Sequence, residues 1–121
     1  MEVVGIGCDI IEIERIRLSI SRQPHFMEHI LTPSELVLAS RLHDQTQFVA
    51  GRFVAKEALS KALGCGIGSQ FSWQSASILN DSAGKPYVEW DIDVKSLFGV
   101  TTTLISISHS KTIAMAYALL M

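Results

Sequence analysis

The stretch FVAGRFVAKEALSKAL, residues 48–63, predicts the helix around which the fold is built. Its apolar residues recur at helical spacing on more than one side of the helix. A helix that is apolar nearly all round is usually buried in the protein. Its charged residues therefore cannot all share one solvated stripe, and four of them need an explanation: Arg52, Lys56, Glu57 and Lys61.

A second stretch, GIGCDI at residues 5–10, places one carboxylate in an apolar segment. Residues 3–11 are predicted to form a strand through the core, where an ionised carboxylate is costly unless it is paired or bound to a metal. If Asp9 and Glu57 converge, they supply the oxygen ligands that Mg2+ prefers, and the nearby cations suit phosphates. The alternative for Glu57 is a local pair with Lys61, worth only about 0.2–0.5 kcal/mol.

The remaining pattern predicts a single α+β domain over residues 1–121. The segment TPSE at residues 32–35 starts a helix, because threonine caps, proline suits the first turn and glutamate completes a capping box. Further elements are predicted as a continuation of this helix to residue 42, a short helix at 94–98, and strands at 73–79, 87–92, 103–108 and 113–120. Helices set apart from a group of antiparallel strands indicate an antiparallel sheet packed against helices.

Composition narrows the class of protein. A net charge of −2 argues against a nucleic-acid partner, which usually meets a basic surface. The two cysteines, Cys8 and Cys65, fit buried structural thiols of a reduced chain better than a disulfide framework. The N-terminus lacks the basic region of a signal peptide, and the apolar tail is too interrupted to span a bilayer. We therefore expect a cytoplasmic protein without a membrane partner.

The apolar content also predicts self-association. Of the 121 residues 48% are hydrophobic and only 18% are charged, which is more apolar surface than one small core readily buries. Within residues 104–120 the sequence is apolar at both alternating positions through residues 113–117, whereas a strand with one solvated face alternates with polar residues. An interface between copies of the chain would bury the apolar surface that the core does not cover.

Five segments together closely resemble the holo-acyl-carrier-protein synthases, the small, trimeric class of 4'-phosphopantetheinyl transferases. They are GIGCDIIEIERI, ILTPSEL, FVAGRFVAKEALSKALGCGIG, GKPYV and ISISHSKTIAMAYA, and they extend from about residue 5 to residue 118. The paired G-x-D and F-x-x-K-E-x-x-x-K motifs are specific, whereas the glycine loop or the GKP turn alone would be weak. The resemblance implies a homotrimer of the 4'-phosphopantetheinyl transferase-like fold.

The resemblance also implies a reaction. Coenzyme A donates its 4'-phosphopantetheine arm to a serine of apo-acyl carrier protein and releases adenosine 3',5'-bisphosphate, in the service of fatty acid biosynthesis. Asp9 and Glu57 match the metal ligands of the family, which bind Mg2+, and Mn2+ is a possible substitute. Either Glu57 or a metal-bound water that it holds takes the serine proton, and Lys61 neutralises the pyrophosphate or the leaving group.

Binding residues are carried over in the same way. The candidates for contacts with coenzyme A are Arg52, Lys61, Gly84, Lys85, Pro86 and His109. For His109 the alternative is a histidine that caps a hairpin turn, and for Lys85 it is a solvated turn lysine. Arg15 matches an arginine that meets an acidic helix of the carrier protein, with Arg17 and Arg22 as lesser candidates. Without the resemblance, an ordinary exposed arginine would be the better interpretation of Arg15.

Two other functions remain compatible with the sequence. One is a different Mg2+-dependent nucleotide or phosphate enzyme, which would consume a nucleotide without a protein acceptor. The other is a non-catalytic trimer that binds coenzyme A, in which both carboxylates could become amides without loss of function.

Overall fold

The computed structural model describes residues 2–121 and shows an α+β architecture, as predicted. Within these residues the elements follow in the order β1 (Gly5–Glu12), α1 (Ile13–Arg22), α2 (Phe26–Ile30), α3 (Pro33–Ser40), α4 (Thr46–Leu63), β2 (Ala76–Asn80), β3 (Pro86–Trp90), α5 (Ile92–Phe98), β4 (Thr103–His109) and β5 (Ile113–Leu120). An antiparallel sheet with the strand order β1-β5-β4 packs against α4, and β2 and β3 form a separate antiparallel pair.

Helix α4 occupies the centre of the core, which confirms the prediction of a helix buried on more than one side. Val49, Val54 and Leu59 are fully buried, and the helix ends at Gly64, whose φ of 82° gives the left-handed cap that glycine adopts readily. The helix contacts β1 and β5, and the small residues of β5 that face it are buried. The position of α4 therefore decides where the charged residues of this helix can lie.

Strand β1 differs from the prediction of a strand through the core. It lies at the edge of the sheet, beside β5, and only its helix-facing residues contact α4. The alternate residues Ile6 and Ile10 are 66% and 61% exposed on the opposite face of the sheet. Asp9 lies on the helix side and is partly buried. The strand thus turns its glycines and Asp9 toward the helix and its large apolar residues toward a face that is uncovered in the single chain.

The smaller elements agree with the prediction in kind and differ at their ends. The capping box is confirmed, since Thr32 N donates to Glu35 Oε1 at 2.8 Å and Glu35 N donates to Thr32 Oγ1 at 3.4 Å. Helix α3 ends at Ser40 rather than at residue 42, and β2 begins three residues later than predicted. The five-residue helix α2 was not predicted, because it is short and starts after His25, whose φ is 65°.

The cysteine prediction is wrong for Cys8 and only partly right for Cys65. Cys8 is exposed because it points to the uncovered face of β1, and Cys65 is half-buried in the glycine loop after α4. Neither cysteine is in a disulfide, which agrees with the expected free thiols. Among residues 2–121, no helix has both the length and the apolar character needed to cross a membrane.

Candidate active site

Asp9, Glu57 and Lys61 converge between β1 and the C-terminal half of α4. Lys61 Nζ donates to Asp9 Oδ1 at 3.2 Å and to the backbone oxygen of Cys8 at 3.0 Å. Glu57 and Lys61 lie one helical turn apart, so they face the same side of α4. The salt bridge of Lys61 is made with a residue 52 positions away, which excludes a purely local Glu57–Lys61 pair as the explanation of this lysine.

Glu57 interacts electrostatically with both Asp9 and Lys61. Burial raises the pKa of Glu57 above its usual value, the charge of Asp9 raises it further, and Lys61 lowers it. Two carboxylates are therefore held near one ammonium group, which leaves one negative charge uncompensated within this cluster. A site with this imbalance favours a cation, because a bound cation removes the repulsion between Asp9 and Glu57.

The donor set fits Mg2+ with part of its coordination supplied by a substrate. Over residues 2–121, no group of three or more His, Cys, Asp and Glu side chains is arranged to hold a metal. Mg2+ does not require such a group, since it is commonly bound by one or two carboxylates together with waters and substrate phosphates. Asp9 and Glu57 match that pattern, whereas a structural metal held by protein ligands alone would not fit here.

Arg52 is placed differently from a freely available phosphate ligand. It is buried, its Nε donates to Ile78 O at 3.0 Å, and its terminal nitrogen donates to Asn80 Oδ1 at 2.5 Å. The guanidinium also lies 4.1 Å from the centre of the Phe48 ring. Burial lowers the pKa of Arg52, and the charge of Glu35 opposes that effect. In the single chain Arg52 thus supports the β2–β3 hairpin.

The turn that contains Gly84, Lys85 and Pro86 joins β2 to β3 and is linked to Arg52. Asn80 accepts from Arg52 and donates through Nδ2 to Gly84 O at 3.0 Å. Gly84 has a φ of 88°, which glycine adopts without strain, and Lys85 is exposed. The backbone N–H of Lys85 donates to Asp81 Oδ1 at 2.9 Å. The turn is therefore ordered by hydrogen bonds while the Lys85 ammonium remains open to solvent.

His109 lies apart from the carboxylates within one chain. It ends β4, whereas Asp9 is on β1, two strand spacings or about 10 Å across the sheet. Its Nδ1 forms a 2.9 Å hydrogen bond with Gln47 Nε2 in the first turn of α4. The cap of the β4–β5 turn is Ser110, whose Oγ accepts from Thr112 N and Ile113 N at 3.2 Å. The alternative role of His109 as the turn cap is therefore wrong.

The three arginines of α1 fall into two groups. Arg15 and Arg22 line one groove together with Leu18, which is 38% exposed. Arg17 is turned toward Glu14, whose Oε2 accepts from its Nε at 3.2 Å, and it lines a different groove beside Lys111. The structure thus brings Arg15 and Arg22 together and separates Arg17 from them.

A buried ion pair between Glu35 and Lys56 was not predicted from the sequence. Lys56 Nζ donates to Glu35 Oε1 at 2.5 Å and to the backbone oxygens of Ile30 and Trp73 at 2.8 Å. Glu35 also accepts from Thr32 N and Ile78 N. The sequence indicated only that Lys56 lies among apolar residues of a helix and therefore needs a partner. A partner 21 residues away could not be read from that pattern.

The sequence matches a known family over nearly its whole length. The family model described as the 4'-phosphopantetheinyl transferase superfamily matches residues 5–118. The chain is 45% identical over 120 residues to the holo-[acyl-carrier-protein] synthase of Alkaliphilus oremlandii, covering 97% of this chain and 98% of that relative. It is 38% identical over 120 residues to that of Halalkalibacterium halodurans, covering 98% and 95%.

Solved structures show the same relationship. The holo-[acyl-carrier-protein] synthase from Neisseria meningitidis aligns with a TM-score of 0.91 and 31% identity, covering 99% of both chains. The holo-(acyl-carrier-protein) synthase from Bacillus anthracis, in complex with CoA (3',5'-ADP), aligns with a TM-score of 0.85 and 43% identity, covering 98% of this chain and 96% of that one. The agreement extends over sequence and fold, and the chain belongs to the holo-acyl-carrier-protein synthase family of 4'-phosphopantetheinyl transferases.

Proposed function

We propose that this enzyme transfers the 4'-phosphopantetheine arm of coenzyme A to a serine of apo-acyl carrier protein, with release of adenosine 3',5'-bisphosphate and with Mg2+ as cofactor. The observation that carries the proposal is the convergence of Asp9, Glu57 and Lys61 from two distant segments. Loaded acyl carrier protein would serve fatty acid biosynthesis. The free thiols fit the reduced cytoplasm, where this reaction would take place.

The chemistry requires stabilisation of negative charge on phosphoryl oxygens. Asp9 and Glu57 would hold Mg2+, or Mn2+ in its place, and the bound ion would neutralise the pyrophosphate of coenzyme A during attack on its β-phosphorus. Lys61 would add a positive charge at the same place, since its half-exposed ammonium is already held next to Asp9. Such fixed charges favour the transition state because they need no reorganisation during the reaction.

The acceptor serine must lose its proton during the attack. Glu57 would take it, either directly or through a water that it holds. The reacting hydroxyl belongs to the carrier protein, so Ser106, Ser108 and Ser110 need no catalytic role. The two routes for the proton remain alternatives within the same proposal.

Recognition of coenzyme A would use the β2–β3 turn and His109. The relatives from Bacillus anthracis and Helicobacter pylori were solved in complex with CoA (3',5'-ADP) and with coenzyme A. In this chain the exposed Lys85 and the hydrogen-bonded turn that contains Gly84 and Pro86 would offer a cation and backbone groups to the nucleotide end. Arg52 would act by fixing this turn through Asn80, in addition to any contact it makes itself.

A homotrimer would explain the uncovered face of the sheet. Ile6 and Ile10 of β1 share this face with Leu104 and Tyr117, which are 48% and 50% exposed. Exposed apolar residues on one contiguous surface are typical of a contact between subunits. His109, at the end of β4, lines a groove together with Met115 of this face. In a trimer the His109 of one subunit would therefore approach the carboxylates of another. Light scattering that finds a fully active monomer at assay concentration would exclude the trimer.

The carrier protein would dock on α1. Arg15 and Arg22 frame a groove with the exposed Leu18 between them, which combines two cations with an apolar contact. An acidic helix is the partner surface that such an arrangement attracts. Arg17 is a weaker candidate, because Glu14 already neutralises it on a different side of the helix.

Mass spectrometry of the carrier protein tests the proposed function. Incubation of apo-acyl carrier protein with the enzyme, coenzyme A and Mg2+ should add about 340 Da to the carrier, the mass of the transferred arm on its serine. A serine-to-alanine carrier is the matched control and should gain nothing. Consumption of coenzyme A or another nucleotide with no mass gain would instead support a phosphate hydrolase, and no reaction at all would support a non-catalytic binding protein.

A further inference from the structure

Two glycines on the helix side of β1 permit an unusually close approach to α4. A Cβ atom on Gly7 would lie 2.0 Å from Ala58 O and 2.7 Å from Ala62 N, and one on Gly5 would lie 2.1 Å from Ala62 O. All three atoms belong to the helix backbone, so no side-chain rotation could relieve the clash. Any residue other than glycine at position 7 must therefore push the strand and the helix apart.

The size of this displacement matters for the site. Cβ atoms essentially never lie closer than 3.0 Å to such neighbours, so a Cβ at Gly7 requires a shift of at least about 1 Å, the difference between 3.0 and 2.0 Å. A misplacement of about 1 Å can cost on the order of 100-fold in the rate of a reaction that depends on geometry. The strand–helix distance at Gly7 is thus a quantity to which the chemistry is sensitive.

The sequence places this contact beside the proposed ligands. Asp9 follows Gly7 by two residues and faces the same side of β1. Glu57 and Lys61 immediately precede Ala58 and Ala62, the two residues whose backbone meets Gly7. A movement of β1 away from α4 at Gly7 would therefore separate the carboxylate of Asp9 from both partners.

We propose that Gly7 is a positioning residue, which sets the separation of Asp9 from Glu57 and Lys61 by allowing backbone contact between β1 and α4. The inference rests on the proposed metal site. It goes beyond that site because Gly7 contributes no atom to a ligand and acts only through the position of Asp9.

A comparison of Gly7 with Gly5 distinguishes a positioning role of Gly7 from a role in packing alone. Its clash distance of 2.1 Å nearly equals that of Gly7, so alanine should disturb the strand–helix contact to a similar extent at either position. Gly5 is four residues from Asp9, about 13 Å along the strand, whereas Gly7 is about 7 Å away. A purely structural role predicts equal consequences for the two substitutions, and a positioning role predicts a larger effect on the site for Gly7.

The experiment measures Mn2+ binding to the full-length protein by electron paramagnetic resonance, with and without coenzyme A, together with thermal stability. Gly7→Ala should weaken Mn2+ binding by about 10- to 100-fold, the range known for groups that orient metal ligands. Gly5→Ala should change it by less than about threefold at a comparable loss of Tm. Gly51→Ala is the control, since a Cβ there meets only Ile107 Cγ2 at the ordinary distance of 3.4 Å.

A second variant keeps the test decisive if Gly7→Ala does not fold. Asp9→Glu moves the carboxylate by one methylene and leaves Gly5 and Gly7 in place, so it should also lose Mn2+ affinity if the site depends on this distance. If Asp9→Asn abolishes Mn2+ binding, the metal site is in place. Native Mn2+ affinity in Gly7→Ala or in Asp9→Glu would then overturn the positioning role of Gly7. Native affinity in Asp9→Asn would instead show that the proposed metal site itself is wrong.

Discussion

Two clusters of charged residues lie on different sides of α4, and the consecutive helix residues Lys56 and Glu57 belong one to each cluster. Lys56 is fully buried against Glu35, and every polar atom of this pair is engaged by the opposite charge, by backbone N–H groups or by backbone oxygens. Glu57 belongs to the other cluster, which is partly exposed and contains two carboxylates for one lysine. The same residue types thus form a closed arrangement on one side and an open one on the other.

The contrast shows which features distinguish a structural ion pair from a site. The Glu35–Lys56 pair joins α3 to α4, to the backbone before β2 and to Ile78 within β2, and each of its side-chain polar atoms already has a partner. The Asp9–Glu57–Lys61 cluster has unbalanced charge and is open to solvent. A charged pair that is buried and fully hydrogen-bonded therefore indicates a structural role. Two carboxylates that repel each other in a partly exposed cluster indicate a site for a ligand.

The largest expected effect comes from breaking the buried cluster. Lys56→Met should lower the free energy of unfolding by about 3–5 kcal/mol, because it leaves the charge of Glu35 buried without its partner. Urea denaturation checks this value. Lys61→Met is the matched control, and its half-exposed salt bridge should contribute less than about 1 kcal/mol. Equal losses in the two variants would contradict the assignment of the two clusters.

The second effect concerns the open cluster and is seen in activity. Asp9→Asn and Glu57→Gln keep the size of each side chain but remove an anionic ligand, so transfer of the arm should fall at least about 100-fold. The rate is measured from the mass gain of the carrier protein at limiting Mg2+. Circular dichroism should show an unchanged fold in both variants. A near-normal rate in either variant would remove that residue from the site.

A similar contrast on α1 predicts a smaller effect on binding. Arg15→Glu should weaken binding of acyl carrier protein about tenfold at low salt, because a charge reversal replaces attraction by repulsion. Binding of coenzyme A should be little changed, and carrier affinity of the native enzyme should fall as salt rises. Arg17→Glu is the control, since this arginine is already paired with Glu14. Calorimetry that finds equal carrier affinity for native protein and Arg15→Glu would exclude Arg15 from docking.

The smallest effect is a dependence of metal-free stability on pH. Because the pKa of Glu57 is raised in the folded state, the folded protein holds this proton more tightly than the unfolded chain does. Stability therefore falls as pH rises from the ordinary glutamate range through the raised pKa. Glu57→Gln should remove this part of the pH dependence and should have an equal or higher Tm at neutral pH. A lower Tm in this variant would show that Glu57 stabilises the fold.

Local patterns predicted α4, the capping box and the α+β class, because spacing and cap chemistry act within a few residues. The convergence of Asp9 with Glu57 was a condition of the expected metal site rather than a result of the pattern, since an ionised carboxylate in an apolar segment requires an opposite charge or a metal and the pattern does not show which. The exposure of β1 was not predicted from the sequence. A strand buried in a core and a strand with one uncovered apolar face have the same pattern of apolar residues. The engagement of Lys56 and Arg52 depends on partners brought from other elements, which spacing cannot show.

The close approach of β1 to α4 at Gly7 could not be predicted from the sequence either. The sequence contains glycines at positions 5 and 7, and several conformational reasons can explain a glycine in a strand. Only the placement of Ala58 and Ala62 on the facing helix shows that the space for a Cβ is taken by backbone. The glycines and the two alanines thus form one contact that joins distant segments.

The most direct test compares two neighbouring substitutions on the same helix. Mn2+ binding in the presence of coenzyme A is measured for Glu57→Gln and for Lys56→Met, at a temperature where both remain folded. We expect Glu57→Gln to lose Mn2+ binding and Lys56→Met to retain it within about threefold, despite its lower stability. Retained binding in Glu57→Gln, or loss confined to Lys56→Met, would contradict the assignment of the open cluster as the metal and phosphate site.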